Sequence, residues 1–262
     1  LLPDVFCNEI SKVFLDLTKT LNLSNTDFIR TTEERHHKTV QNLWKILEEK
    51  KFIYLSKYTG WYSVSDEAFY AESEIIEKDK IKLCEATGSP VEWVEEESYF
   101  FKLSKFQNLL IKHYEDNPDF IQPPSRRNEV MSFVKGGLKD LSISRNSFKW
   151  GISVPNSENH IVYVWLDALT NYLTAANYFD DNSFWPADVH IIGKDILRFH
   201  AVYWPAFLLA AEIPLPKKIF GHGWILSGDE KMSKSKGNIL DPIEIVDEFG
   251  LDEIRYYLMK EV

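Results

Sequence analysis

Cysteine is almost absent from this chain, which contains only Cys7 and Cys84 among its 262 residues. Two thiols this far apart cannot form the set of bridges that stabilises small disulfide-rich proteins. They also cannot supply the four thiolates of a Cys₄ zinc site. The sequence therefore excludes a disulfide scaffold and predicts that the chain holds no structural zinc.

Long apolar runs and an excess of basic charge are missing as well. No apolar run approaches the roughly 20 residues that a membrane-spanning helix needs, and residues 1–4 lack the features of a signal peptide. The 30 basic residues stand against 40 acidic ones, which gives a formal net charge of −10. This charge argues against a generally basic surface that binds nucleic acid, so any RNA contact must use local patches. We expect a soluble intracellular protein with no membrane partner and no DNA partner.

The second half of the chain alternates predicted strands with predicted helices. The strands are expected at 161–165, 189–192 and 219–226, and the helices at 166–178 and 195–211. This alternation predicts an α/β fold with a parallel sheet. Because ligands bind at the carboxyl ends of parallel strands, we expect Trp165, Gly193 and the loop 227–236 to lie at one edge of the sheet.

The earlier part of the chain differs in pattern. Residues 52–140 alternate aromatic side chains with short polar breaks, which is typical of short strands and hairpins. Residues 1–51 have helical periodicity instead. We therefore predict a larger fold whose two halves are residues 1–51 and 141–228. The segment 52–140 is predicted to be an insertion between them, and residues 229–262 to form a cationic loop and the helical region after it.

Two helical stripes define a candidate pocket. Their residues recur at three- and four-residue steps, which places each stripe on one face of a helix. The first stripe is Trp165, Leu169 and Tyr172, and the second is Ile196, Phe199, His200 and Trp204. The two faces are predicted to meet as an apolar slot. The alternative is that both stripes belong only to the core.

Three lysines, Lys231, Lys234 and Lys236, alternate with small residues between Gly228 and Gly237. An apolar strand-like run precedes them, and Asp241-Pro242 predicts a capped helix after them. Alternate lysines suit the oxygens of a triphosphate, so this pattern favours a phosphate-binding loop over a solvated surface loop.

Gly193 and Asp195 follow a predicted strand, where glycine permits close approach to the backbone. Asp195 either caps the next helix or accepts hydrogen bonds from ribose hydroxyls. The adjacent His36 and His37 do not indicate a metal, since neighbouring helical residues point about 100° apart and no further ligand completes a set. We predict no metal site.

Taken together, these motifs resemble the class I aminoacyl-tRNA synthetases. The run Lys231-Met232-Ser233-Lys234-Ser235 is similar to their KMSKS signature. The order and spacing of the other motifs resemble methionyl-tRNA synthetases of the bacterial or organellar type. Those motifs are Tyr163-Val164-Trp165-Leu166-Asp167-Ala168, Ile192-Gly193-Lys194-Asp195 with Phe199-His200 and Trp204-Pro205, and Gly221-His222-Gly223-Trp224. The resemblance covers nearly the whole chain.

The resemblance implies a Rossmann-like catalytic domain, interrupted by a connective-peptide insertion, that joins methionine to tRNA(Met) with ATP and Mg²⁺. It implies a methionine pocket made of Trp165, Ala168, Leu169, Tyr172, Ile196, Phe199, His200 and Trp204. It implies an ATP site made of Gly193, Asp195, Gly223, Trp224, Ile225, Lys231, Ser233 and Lys234. Lys231 and Lys234 would also be catalytic. The implied location is the bacterial cytoplasm, with the organellar matrix as the alternative.

The sequence departs from the family pattern in three places. It has no HxGH motif, and Gly221-His222-Gly223, which looks similar, lies in a different element. It also stops before the anticodon-binding domain. Leu169 stands where some members have proline. We therefore expect a fragment that is inactive alone. Two alternatives remain: another class I synthetase or related nucleotidyltransferase, which should lack this pocket set, and a non-catalytic tRNA-binding remnant.

A metal measurement tests the zinc-free expectation. Many similar synthetases carry zinc-binding cysteine knuckles in the insertion, whereas this chain has only Cys7 and Cys84. We expect elemental analysis of the purified protein to find no stoichiometric zinc. Zinc that is retained at one ion per chain against a chelator would contradict this expectation.

Overall fold

The structure is a computed structural model that describes residues 2–65, 68–70, 72–78, 81–85, 87–147, 149–180, 183–227, 230–232 and 240–261. The helices are α1 (Pro3–Thr20), α2 (Glu34–Glu49), α3 (Gln107–Asp116), α4 (Pro124–Lys135), α5 (Val164–Ala175), α6 (Trp204–Ala211), α7 (Pro242–Phe249) and α8 (Leu251–Glu261). The first five strands are β1 (Ile53–Ser63), β2 (Ala68–Tyr70), β3 (Ile75–Lys78), β4 (Ile81–Cys84) and β5 (Glu92–Phe101). The later strands are β6 (Ile121–Gln122), β7 (Leu141–Ser142), β8 (Ser144–Arg145), β9 (Ile161–Val162), β10 (His190–Gly193), β11 (Ile219–His222), β12 (Leu226–Ser227) and β13 (Glu230–Lys231). None of the described helices is long and apolar enough to cross a membrane.

An antiparallel sheet occupies much of the segment predicted as an insertion. Its strand order is β2-β1-β5-β7, and the β1–β5 ladder runs from Ile53 opposite Phe101 to Tyr62 opposite Glu92. Cross-strand aromatic pairs reinforce this ladder, such as the edge-to-face contact of Trp61 with a tryptophan on β5 at 5.2 Å. Strands are present where the aromatic pattern predicted them, but β1 and β5 are 11 and 10 residues long and not short. The boundaries of the insertion remain a prediction.

The parallel sheet confirms the predicted fold class but has a different composition from the one expected. Its order is β10-β11-β6, so one of its three described strands is Ile121–Gln122, which lies inside the segment 52–140. The run 161–165, which was expected to supply a parallel strand, instead forms β9, which pairs antiparallel with β8. The strand prediction for Trp165 was therefore wrong, because the chain turns into α5 at Val164, after the extended residue Tyr163.

The expected single helix over 195–211 is divided into three parts. A 3₁₀ turn spans Lys194–Ile196, a segment of π geometry spans Phe199–Tyr203, and α6 follows. Pro205 explains the irregular segment, since proline has no amide hydrogen to donate to the carbonyl of Ala201, four residues earlier. The hydroxyl of Tyr114 donates to that carbonyl in place of the missing amide.

One apolar core joins the two sheets. Phe101 of β5 is fully buried, stacks on Phe106 at 5.5 Å and meets Phe207 of α6 edge to face at 4.8 Å. Trp44 and its buried neighbours on α2 belong to the same cluster. Burial of each such aromatic ring contributes about 2–3 kcal/mol, which fixes the helices that carry the candidate site against both sheets.

Candidate functional site

The parallel strands β10 and β11 end side by side, with Gly193 paired to His222. A Cβ atom on Gly193 would lie 2.6 Å from Asp195 Oδ1, so a larger residue there would require the Asp195 side chain to move. Lys194 Nζ lies 3.7 Å from the centroid of the Trp224 ring, which joins the ends of the two strands. The structure therefore brings Gly193, Asp195 and Trp224 together at the carboxyl edge of the sheet.

The remaining residues of this edge are open to approach. A Cβ atom on Gly223 would meet no atom within 4 Å, so packing does not require glycine at that position. Asp195 is exposed and lies in the 3₁₀ turn Lys194–Ile196. Whether Asp195 serves as a cap or binds ribose hydroxyls therefore stays a prediction. Ile225 continues the chain after Trp224 and is half-buried.

The two predicted stripes meet, as the helical spacing suggested. Trp165 of α5 stacks on Phe199 with ring centroids 3.6 Å apart and an interplanar angle of 9°. Tyr172, two turns further along α5, contacts His200. Ala168 and Ile196 are half-buried, whereas Leu169 and Trp204 are almost fully buried. The slot expected between the stripes is closed at Trp165 and Phe199, because their rings touch.

A chain of hydrogen bonds fixes the protonation state of His200. Its Nδ1 lies 2.9 Å from the carbonyl oxygen of Ile196, which can only accept, so Nδ1 carries a hydrogen. Burial lowers the pKa of His200, and burial raises the pKa of Tyr172 to about 12. The neutral Tyr172 hydroxyl therefore donates to His200 Nε2 across 2.8 Å. The result is an uncharged polar pair within an aromatic surrounding.

Sequence reasoning missed His190, which forms the back of this cluster. Its ring stacks on Tyr172 at 3.9 Å and lies 5.9 Å from the ring of Trp185. Burial, with a smaller contribution from nearby His200, lowers the pKa of His190 to about 3, and its Nε2 has no partner among the described residues. The available signal was the spacing of His190 and Ile192, which are two residues apart and therefore point to the same, buried face of an apolar strand.

Sequence reasoning also missed the partner of α5 on its other side. His36 of α2 is fully buried, and its Nε2 lies 2.7 Å from Asp167 Oδ1 and its Nδ1 2.9 Å from Thr174 Oγ1. Asp167 lines a cleft of about 520 Å³ together with Arg30 and other residues. No group of three or more possible ligands for a metal occurs among the described residues, and His36 is bound by side chains instead.

The cationic loop falls mostly outside the described residues. Lys231 is described by its backbone, which pairs with Leu226 in the β12–β13 hairpin, and Met232 is half-buried. The candidate residues Ser233 and Lys234 lie outside the described part. After the loop, the Asp241 side chain accepts from the amide of Ile243 at 2.8 Å, which confirms the predicted start of α7.

Comparison with known proteins finds a matching family profile and similar sequences. The sequence profile described as "tRNA synthetases class I (M)" matches residues 1–262. The chain is 58% identical over 264 residues to the methionine–tRNA ligase of Rickettsia conorii and 57% identical over 266 residues to that of Rhizobium meliloti. Each match covers 99% of this chain and 51% of the relative, so the chain spans about half the length of these curated relatives.

Solved structures give the same result. The fold is similar to Mycobacterium tuberculosis methionyl-tRNA synthetase bound by methionyl-adenylate, with a TM-score of 0.92 and 52% identity over 99% of this chain and 52% of that one. The apo form of that protein matches with a TM-score of 0.86 and 49% identity, over the same shares of the two chains.

Acid titration tests the buried state of His190. Its pKa is lowered from 6.5 to about 3, so the neutral form stabilises the fold fully above pH 6.5, and this stability is lost as the pH falls towards 3. Between pH 7 and pH 5 the loss from this residue is about 2 kcal/mol. We expect His190→Phe, which keeps an aromatic ring against Tyr172, to reduce the pH dependence of the unfolding free energy by about that amount. Denaturant titrations of both proteins at pH 7 and pH 5 measure it, and equal losses in both would contradict the assignment.

Proposed function

The chain belongs to the class I methionyl-tRNA synthetase family, and on this basis we propose that it is the catalytic region of a methionine–tRNA ligase. The protein would join methionine to ATP as methionyl-adenylate and then transfer methionyl to the 3′ end of tRNA(Met). The bacterial cytoplasm is the proposed location, in keeping with the bacterial relatives.

The observation that carries this proposal is the uncharged aromatic cluster between α5 and the segment Phe199–Tyr203. Trp165 and Phe199 supply apolar faces, and the Tyr172–His200 hydrogen bond supplies a polar group without charge. A thioether suits such a site, since sulfur packs favourably against aromatic rings and accepts hydrogen bonds only weakly. A charged amino-acid side chain would lose its hydration there without gaining a partner.

The edge formed by β10 and β11 supports the proposed ATP site. Gly223 leaves space beside the backbone, the Asp195 carboxylate next to Gly193 would accept from ribose hydroxyls, and Trp224 has a flat ring between Gly223 and Ile225. This edge and the pocket are continuous, since Lys194–Ile196 leads directly into the segment that carries Phe199. The two substrates would therefore meet at the carboxyl ends of the parallel strands.

The proposed reaction needs no side chain as base. An oxygen of the methionine carboxylate attacks the α-phosphorus of ATP, a new P–O bond forms, and the bond to the β-phosphate oxygen breaks with release of pyrophosphate. The protein contributes by positioning the two substrates and by stabilising charge. Lys231 and Lys234 would stabilise the negative charge that develops on the departing pyrophosphate. Mg²⁺ would enter with ATP, bound through its phosphates.

Substitution in the pocket tests the proposed specificity. In the intact enzyme we expect Trp165→Ala or His200→Ala to weaken methionine binding by about 2–4 kcal/mol, because the emptied site loses its aromatic contacts. The KM for ATP should change far less. Pyrophosphate exchange at varied methionine and ATP concentrations measures both constants. Trp93→Ala removes an exposed tryptophan in the segment 52–140 and is the matched control. Equal effects on both substrates would show that the stripe is only core.

Substitution in the cationic loop tests the proposed catalytic lysines. We expect Lys234→Ala, and similarly Lys231→Ala, to slow methionyl-adenylate formation about 100-fold, or about 2.7 kcal/mol, with little change in methionine affinity or thermal stability. The reason is that the lysine charge acts only as pyrophosphate separates. Single-turnover kinetics measures the rate, with Lys217→Ala as an exposed control lysine. Near wild-type rates in both loop variants would contradict the proposed role.

A further inference from the structure

His36 is an unusual residue to find inside a helix interface. It lies on α2, its exposed area is 0%, and its ring nitrogens contact Asp167 and Thr174 of α5. The carboxylate of Asp167 can only accept, so His36 Nε2 donates to it. Both contacts bridge elements that are more than a hundred residues apart in the chain, which makes the contact a tertiary one.

The two partners of His36 lie on one side of α5. Asp167 and Thr174 are seven residues apart, which is about two helical turns, so they share one face. Trp165 and Tyr172 also share a face, and at about 100° per residue Trp165 points roughly 180° away from Thr174. The candidate pocket and the His36 contact therefore lie on opposite sides of the same helix.

Polar contacts of this kind select one arrangement of a helix. Much of α5 packs into the core through Leu166, Leu169 and Leu173, and such apolar side chains tolerate small rotations and shifts with modest loss. A rotation of α5 would instead separate the fully buried His36 ring from Thr174 and from the partly exposed Asp167, which is costly because the ring nitrogens would remain in the interior without partners. The same rotation would move Trp165 away from Phe199 and Tyr172 away from His200.

We propose that His36 is a positioning residue that holds α5 in the rotation in which Trp165 and Tyr172 form the amino-acid pocket. It acts through the helix and does not touch the substrate. The kinetic test of this proposal rests on the proposed methionine-activating function. The structural test depends only on the contacts of His36.

Three variants of the intact enzyme separate positioning from stability. His36→Ala removes both contacts, His36→Gln keeps an amide near the position of Nε2 that can donate to Asp167, and Val40→Ala removes a fully buried side chain of α2 that makes no polar contact. We expect His36→Ala to raise the KM for methionine about 10-fold with less than about a 2-fold change in the KM for ATP. His36→Gln should recover most of this loss. Val40→Ala should lower the melting temperature with both KM values unchanged.

The inference is overturned if His36→Ala changes only the melting temperature, as Val40→Ala does, or if it raises both KM values equally. A wild-type enzyme without methionine-dependent pyrophosphate exchange would instead refute the proposed function. In that case the crystal structure of His36→Ala decides the inference independently. We expect α5 to be rotated and the stacking of Trp165 on Phe199 to be lost, and an unmoved α5 with that stacking intact would refute the positioning role.

Discussion

The missing amide hydrogen of Pro205 determines the geometry of the candidate site. Because Pro205 has no amide hydrogen for the carbonyl of Ala201, four residues earlier, the regular helix is interrupted and the backbone adopts π geometry over Phe199–Tyr203, where the Tyr114 hydroxyl of α3 donates to that carbonyl. In this segment the consecutive residues Phe199 and His200 both contact α5. The pocket therefore depends on a local break in the helix, and the bond from Tyr114 stabilises that break within the core.

The site combines apolar rings with polar groups that carry no charge. Tyr172 connects two histidines, since it stacks on His190 and donates to His200, and burial lowers the pKa of both histidines. The family motif begins at Lys231 in β13, apart from these residues in the sequence. A neutral cluster and a lysine-rich run elsewhere in the sequence suit the proposed reaction, in which one substrate has an apolar side chain and the other is a polyphosphate.

Sequence patterns predicted the parts of this structure that depend on local spacing. The three- and four-residue steps identified both aromatic stripes, and Asp241-Pro242 predicted the start of α7. They failed where distant residues decide. The strand Ile121–Gln122 is too short to have a period, and it is defined only by its pairing with β11. The contact of His36 with α5 was equally invisible, because its partners lie far along the chain. The run 161–165 is apolar enough for a strand, but its second part turns into the first turn of α5.

The pairing of Ile121 with Ile219 also constrains when the fold can form. The two residues are about a hundred positions apart, and such a long closure is entropically expensive and slow compared with the hairpins of the antiparallel sheet. During synthesis all residues of β1 and β5 have left the ribosome long before those of β11. The antiparallel sheet can then act as a preformed surface, on which the parallel sheet assembles only once the last third of the chain has emerged.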